Sequence, residues 1–81
     1  MIQNFPTLAM KNKSSLTLSD QAGCFHCCKI FKTENIKHWT DNEKTAICPE
    51  CSIDSVVGNN CGFILNEDIL KKANQMWYKK A

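Results

Sequence analysis

The stretch from Cys24 to Cys51 begins with Cys24-Phe25-His26-Cys27 and ends with Cys48-Pro49-Glu50-Cys51. Two Cys-x-x-Cys pairs at this separation are typical of a four-thiolate zinc site. Two residues between the cysteines allow a tight turn to point both sulfurs at one ion, and the long intervening segment can fold back to complete a tetrahedron. The sequence therefore predicts one structural Zn²⁺ with four ligands: Cys24, Cys27, Cys48 and Cys51.

Four further side chains are candidate ligands. His26 lies inside the first pair and should point away from the site that its neighbours share, while Cys28 directly follows a ligand. Cys61 lies in a Gly/Asn-rich loop and can approach only if the chain doubles back. Substitution of one ligand by Cys28 or His38 stays open. Otherwise Cys28 and Cys61 are expected to be small, half-buried residues.

Length and cysteine content limit the class of protein. A chain of 81 residues is one domain, and it buries only about 60% of its unfolded surface, so a metal or disulfides commonly supplement its core. The first twenty residues lack the apolar run of a signal peptide. The Cys-x-x-Cys spacing favours free, metal-binding thiols over a framework of disulfides. Free thiols are in turn expected in the reducing environment of the cytoplasm. No apolar run approaches the roughly 20 residues of a membrane span.

The net charge and the type of basic residue bear on whether the partner is a nucleic acid. The formal charge is +2, and every cationic side chain is lysine. Four thiolates with one Zn²⁺ make the metal-bound protein neutral. Arginine supplies the bidentate fork favoured for phosphate and guanine, so its absence makes nucleic-acid binding less expected without excluding it. A basic end can still form from four lysines: Lys71, Lys72, Lys79 and Lys80.

Residues 1–22 are predicted to form a helical arm, and residues 23–81 the zinc-binding domain with a C-terminal helix. Asn4 and the proline at position 6 resemble a helix start, which predicts a helix near 4–12. Residues 14–20 fit either an extended piece or a second short helix. We expect the arm to cover the zinc lobe, with a mobile arm that orders on a partner as the alternative. The covering side chains would be Phe5, Leu8, Leu16 and Leu18.

Between the pairs the pattern predicts a strand, a turn of helix, a loop and a strand. Residues 29–32 alternate like a strand, and Thr33 is a plausible N-cap. One helical turn would then place Ile36 and Trp39 on the core face. Residues 45–47 favour a strand that returns to the second pair. Gly23 is expected to supply the unusual backbone angles that a cysteine turn often requires.

The last segment is the clearest helix. Asn66 caps it, and the acidic residues that follow suit the positive N-terminal end. The apolar spacing predicts a buried face of Ile69, Ala73 and Met76, with Leu70 and Trp77 on either side. We expect Trp77, with Tyr78 beside it, to stay partly exposed and to take part in partner binding or self-association, because tryptophan is enriched among interface hot spots.

Catalysis is not expected. Four thiolates leave no open position on a zinc ion, and the His-x-Glu half of the zinc-deaminase pattern is missing. A thioredoxin-type role for the second pair would need a βαβ frame that this chain is too short to hold. Asp54 and Ser55 follow the second pair closely. Asp54 is expected to accept backbone hydrogen bonds or to cap a turn, and a ligand contact is the alternative.

One group of residues resembles a known family. It comprises Gly-Cys-Phe-His-Cys at 23–27, Phe31, Ile36, Trp39, Asp41, Thr45-Ala46, Cys48-Pro49, Cys51 and Ile-Asp-Ser-Val-Val-Gly at 53–58. The set is similar to a family of small, uncharacterised bacterial proteins often labelled only "cytoplasmic protein". The resemblance implies a bacterial cytosolic zinc protein and brings no activity. Ser52 departs from the family, where glycine usually follows such a knuckle.

The sequence thus predicts a small α+β domain stabilised by zinc, of the treble-clef or zinc-ribbon type, with an N-terminal helical arm and a C-terminal helix. The expected function is a non-catalytic interaction module, with a protein partner or self-association. A nucleic-acid-binding zinc module is the alternative. A thiol redox or metal-handling protein is a second one, which a depressed pKa at Cys28 or Cys61 would favour.

Overall fold

The computed structural model describes residues 4–60 and 64–78 of the chain. It is an α+β structure with two small antiparallel sheets and a C-terminal helix, as the sequence predicts. In chain order the elements are α1 (Phe5–Leu8), α2 (Lys13–Thr17), β1 (Gln21–Cys24), β2 (Ile30–Lys32), a 3-10 turn (Thr33–Asn35), β3 (Trp39–Thr40), β4 (Thr45–Ala46), β5 (Val56–Gly58) and α3 (Glu67–Trp77).

The larger sheet has β1 at its centre, in the order β2-β1-β5, and β3 and β4 form a separate hairpin. Ala22 of β1 lies opposite Phe31 on one side and opposite Gly58 on the other. In the hairpin, Trp39 lies opposite Ala46. The first Cys-x-x-Cys turn connects β1 to β2, whereas the second lies between β4 and β5. The central strand therefore leads directly into the cysteine site.

The two faces of the larger sheet bury different clusters, because successive side chains of a strand point to opposite faces. Cys24 and Val56 belong to a cluster on the face of the cysteines. Phe25 and Val57 belong to the other cluster, which packs against α1 and α3. Both faces are thus covered, which is why β5 is buried at every residue.

The first cluster joins α2, both sheets and the cysteines. Its buried members are Leu16, Ala22, Cys24, Phe31, Ile36, Ala46, Cys48 and Val56. Trp39 is half-buried against it, consistent with its expected core position. The helical turn predicted from Thr33 is a 3-10 turn with Lys32 at its N-cap. Thr33 does not cap it, because its hydroxyl donates instead to the carbonyl of Ser19 at 2.8 Å.

The second cluster places α3 directly on β1. A Cβ on Gly23 would lie 2.8 Å from Cδ1 of Leu70, so the glycine makes room for that leucine. The predicted role of Gly23 in an unusual backbone turn is wrong, since it lies within strand β1. The predicted buried face of α3 is wrong in part as well. Leu70 and Ala73 are its buried residues, while Met76 is exposed.

The N-terminal segment contains two short helices: α1 is shorter than the helix predicted near 4–12, and α2 corresponds to the second short helix, one of the two alternatives for residues 14–20. Lys11 adopts a left-handed backbone with φ of 48°, which ends the first helix and separates it from α2. Leu16 is buried in the first cluster and Phe5 in the second. Leu18 was expected to cover the zinc lobe, but this C-cap residue of α2 is 73% exposed, so that part of the prediction is wrong.

Asn12 attaches this segment to both sheets. The side-chain amide of this buried residue donates to the carbonyl of Val56 in β5 at 2.7 Å. Its amide oxygen accepts from the N–H of Ala46 in β4 at 3.2 Å. Next to it, the N–H of Lys11 donates to Thr45 Oγ1 at 2.8 Å. One asparagine therefore satisfies two buried backbone groups, a role that sequence reasoning missed.

Replacement of Asn12 by alanine should lower the free energy of unfolding of the metal-bound protein by about 2–4 kcal/mol. A buried carbonyl and a buried N–H would each lose their partner, at about 1–3 kcal/mol apiece. Urea denaturation followed by far-ultraviolet circular dichroism measures the change. Ser14→Ala, at an exposed position of α2, is the matched control and should stay within about 0.5 kcal/mol. Equal midpoints for the two variants would contradict the role of Asn12.

Candidate metal centre

Four cysteines converge at the end of the central strand of the larger sheet. Cys24 ends β1 and Cys27 lies in the turn that follows, while Cys48 and Cys51 lie in the turn after β4. Their four sulfur atoms all lie within 4.8 Å of one another. The distance between the sulfurs of Cys24 and Cys51 is 3.7 Å, as is that between Cys27 and Cys48. The structure thus brings together the four thiols that the sequence predicts as one site.

The first cysteine turn is closed by three backbone groups. The N–H of Cys28 donates to the carbonyl of Cys24 at 2.7 Å, and the N–H of Cys24 donates to the carbonyl of Lys29 at 3.0 Å. The N–H of His26 points at the sulfur of Cys24, 3.4 Å away. The turn therefore fixes the position of that sulfur through the backbone.

The second turn repeats this geometry. The N–H of Ser52 donates to the carbonyl of Cys48 at 3.0 Å, and the N–H of Cys48 donates to the carbonyl of Ile53 at 2.9 Å. The N–H of Glu50 lies 3.3 Å from the sulfur of Cys48. The two turns are thus equivalent residue for residue, and they present their sulfurs to each other.

Each turn ends in a left-handed residue. Cys28 has φ of 63° and Ser52 has φ of 66°, a region that glycine enters without steric cost and other residues enter at about 1–2 kcal/mol. Ser52 therefore adopts the left-handed backbone of the second turn without the conformational freedom of glycine. Cys28 occupies the corresponding place in the first turn, and its side chain packs against the second cluster. This geometry explains why Cys28 is not in the four-sulfur group.

The sulfur spacing fits a tetrahedral metal ion. Zinc–sulfur bonds of about 2.3 Å place the corners of a tetrahedron about 3.8 Å apart, close to the observed 3.7 Å. A disulfide would need about 2.05 Å between sulfurs. The four cysteines could therefore hold one metal ion between the two turns.

Burial controls the protonation of these thiols. It raises the pKa of Cys24 well above its ordinary value and raises the pKa of Cys48 to about 11. Burial acts on Cys27 in the same direction, but hydrogen bonds from the backbone at Lys29 and from the neighbouring thiols outweigh it and lower the pKa of Cys27. Without a cation Cys24 and Cys48 hold their protons at neutral pH. A bound metal must displace those protons, as it does in thiolate sites generally.

The other candidate ligands lie elsewhere. Among the residues that the structure describes, the four cysteines are the one group of donors close enough to share a metal. His26 and His38 are exposed. Burial raises the pKa of Cys28, opposite to the shift that a reactive thiol would show. Cys61 lies outside the described residues.

Helix α3 is attached to the first cysteine turn. The side-chain amide of Asn74 donates to the carbonyls of Phe25 and His26, at 3.0 and 2.9 Å. Both carbonyls belong to the residues between Cys24 and Cys27. Sequence reasoning missed Asn74, although asparagine is a poor residue for a helix interior, and that signal could have singled it out.

Tyr78, at the C-terminal end of α3, packs on the same turn. Its ring meets the His26 ring edge-on with centroids 4.8 Å apart, and the Phe25 ring lies 5.7 Å away. Its hydroxyl is hydrogen-bonded to the hydroxyl of the buried Ser55. The carbonyl of Ser55 in turn accepts from the N–H of Phe25 at 3.0 Å. His26, considered as a ligand candidate, therefore supports an aromatic contact instead.

The four residues considered as binding residues line one cavity of about 290 Å³: Asp54, Ser55, Trp77 and Tyr78. The remaining walls come from α1, the residues just after it and Phe25. Trp77 and Tyr78 are each 41% exposed, in line with their expected partial exposure. Asp54 is exposed and caps no turn that the structure describes.

The lysines of α3 are partly neutralised. Lys71 pairs with Glu67 and Lys72 with Asp68, each at 3.4 Å between charged atoms. Such exposed pairs add little stability, but they reduce the positive potential of the basic end. Lys79 and Lys80 lie outside the described residues.

No helix within residues 4–60 and 64–78 has the length and apolar character needed to cross a membrane. In comparisons with known proteins, no family model, curated protein or solved structure matches this chain. Its class is therefore defined by its own structure. It is a small α+β protein in which four cysteines from two equivalent turns can hold a metal ion.

Proposed function

We propose that this protein is a structural-zinc interaction module that binds a protein partner and performs no catalysis. The observation that carries the proposal is the attachment of α3 to the first cysteine turn through Asn74 and Tyr78. A metal that holds Cys24 and Cys27 also holds the backbone between them. The outer surface of α3 is then fixed in shape by the ion.

Zinc is the metal that the donor set favours. Four thiolates in a tetrahedron are typical of structural Zn²⁺, which has no redox chemistry of its own, although iron can occupy similar sites. The sulfurs of Cys24 and Cys48 are buried, and the tetrahedron has no open position for a substrate. A structural role follows for the metal, and a non-catalytic role for the protein.

Within the two fold types that the sequence favours, we propose the zinc ribbon. In a treble clef the second pair of ligands lies at the start of a helix. Here Cys48 and Cys51 lie in a turn equivalent to the first one, and α3 begins only at Glu67. The resemblance of residues 23–58 to a bacterial family supports a bacterial, cytosolic setting for this module.

The proposed contact surface is defined by Met10, Trp77 and Tyr78, three exposed apolar residues around the cavity. Exposed apolar groups that lie together mark interaction sites more often than isolated ones do. Tryptophan and tyrosine contribute disproportionately to interface energy. This surface is continuous with the cavity, whose walls include the first cysteine turn at Phe25.

Trp77→Ala should weaken partner binding by about thirtyfold or more, since an interface hot spot contributes at least about 2 kcal/mol. Zinc content should stay nearly unchanged, because Trp77 is not part of the four-sulfur group, and the domain should stay folded, because Trp77 belongs to neither buried cluster. The experiment is an affinity pull-down with zinc-loaded bait, followed by titration of the recovered partner and by sedimentation equilibrium for self-association.

Ile64→Ala is the matched control for this prediction. Ile64 is 81% exposed and does not line the cavity, so its loss should leave partner binding intact. If Trp77→Ala unfolds the domain, Trp77 belongs to the core. If both variants bind the partner equally well, the contact surface lies elsewhere.

A further inference from the structure

The cavity beside Trp77 has aromatic walls. Phe25, Trp77 and Tyr78 line it, together with the apolar Pro6 and Met10. Its volume of about 290 Å³ lies just below the range of about 300–1,000 Å³ found for ligand pockets. It is therefore suited to one side chain and not to a large cofactor. The negative face of an aromatic ring attracts cations.

The cavity carries one charge, which is negative. Asp54 is its one charged lining residue, and no cationic group within residues 4–60 and 64–78 forms an ion pair with it. The hydroxyls of Ser55 and Tyr78 bond to each other, and each keeps oxygen lone pairs for a further donor. An anionic ligand would be repelled by Asp54, whereas a cation finds both a counter-charge and aromatic faces.

We propose that this cavity binds a basic side chain, lysine or arginine, presented by the protein partner. This inference rests on the proposed function and specifies what that partner must offer. The aliphatic stem of such a side chain packs against Pro6 and Met10, while its charged head reaches the aromatic rings and Asp54. Because Tyr78 is positioned by the first cysteine turn, the metal-bound protein holds the cavity ready for the cation.

The test is titration of the zinc-loaded full chain with capped tripeptides that contain a central lysine, arginine or norleucine. Norleucine has the lysine stem without the charge. Two-dimensional nuclear magnetic resonance follows the indole N–H of Trp77, with the indole of Trp39 as an internal reference. We expect saturable shifts at Trp77 and Tyr78 with lysine or arginine, millimolar affinity, and no saturable response to norleucine.

Asp54→Asn should weaken binding of the basic tripeptide by about fivefold, as expected for loss of about 1 kcal/mol from one exposed charge pair. Asp41→Asn removes an exposed carboxylate in the β3–β4 loop and should leave the affinity unchanged. An equal response to norleucine, or no effect of Asp54→Asn, overturns the proposal. Binding of butylammonium without binding of any basic tripeptide overturns it too, because the occupant would then be a free amine.

The experiments distinguish failure of the proposed function from failure of the proposed cation-binding cavity. Zinc content and the effect of Trp77→Ala on partner capture report on the interaction module. If that effect is observed and the basic tripeptides do not bind, the interaction module is supported and the proposed cation-binding cavity is wrong. If the tripeptides bind and the partner is captured equally well by Trp77→Ala, the module's proposed contact surface falls.

Discussion

Removal of zinc with a strong chelator should abolish the tertiary structure of this protein. Structural zinc in small domains supplies about 10–16 kcal/mol of apparent free energy, more than the about 5–15 kcal/mol of net stability that natural domains typically have. Here the metal would join the turn between β1 and β2 of the larger sheet to the turn that connects β4 of the hairpin with β5 of the larger sheet. Without it, side-chain packing in the first cluster is the remaining contact between Cys24 and Cys48.

Two measurements check this expectation. Elemental analysis should find one zinc per chain, because one four-sulfur group is present among the described residues. Near-ultraviolet circular dichroism should lose its aromatic signal when the chelator is added and regain it with excess Zn²⁺. A metal-free preparation with an unchanged aromatic spectrum would show that the fold does not depend on the ion.

The loss of structure should extend to α3. Asn74 and Tyr78 contact the residues between Cys24 and Cys27, so disorder in that turn removes their partners. The fluorescence of Trp77 should therefore change with the same chelator dependence as that of Trp39, which packs near the cysteines. Trp39→Phe and Trp77→Phe variants separate the two signals. Retention of the Trp77 signal in metal-free protein would show that the structure of the contact surface does not depend on the metal.

Substitution of any one ligand cysteine by serine should lower zinc affinity by more than about a hundredfold, since loss of a hydrogen-bond partner of a metal ligand alone costs about 10- to 100-fold. The largest losses are expected at Cys24 and Cys48. Their sulfurs are buried and also accept the N–H groups of His26 and Glu50. Competition with a chromophoric chelator measures the affinity, and solubility should fall in parallel.

Cys28→Ser is the matched control for this series. Cys28 is adjacent to a ligand in sequence and half-buried, but the left-handed backbone at this position directs it to the second cluster. The Cys28→Ser variant should therefore keep full zinc occupancy, and its free energy of unfolding should change only modestly. Zinc loss from Cys28→Ser with retention in Cys27→Ser would show that the wrong sulfur was assigned.

The two cysteine turns and the existence of α3 were predictable from sequence because each of these features depends on near neighbours. A Cys-x-x-Cys turn is closed by hydrogen bonds within six residues, as at Cys24 and Lys29. The cap of α3 needs only Asn66, whose side chain accepts the N–H of Ile69 at 2.9 Å. Such contacts leave a local pattern in the chain.

The buried face of α3 and the attachment of the N-terminal segment were decided only by tertiary structure. Leu70 is buried because a glycine of β1 lies beneath it, so helical periodicity alone could not choose it over Met76. Asn12 bonds to a carbonyl 44 positions away, and Asn74 to one 49 positions away. Hydrogen bonds over such distances depend on how the sheets and helices pack, and each buried backbone group takes whichever donor the packed fold brings within reach.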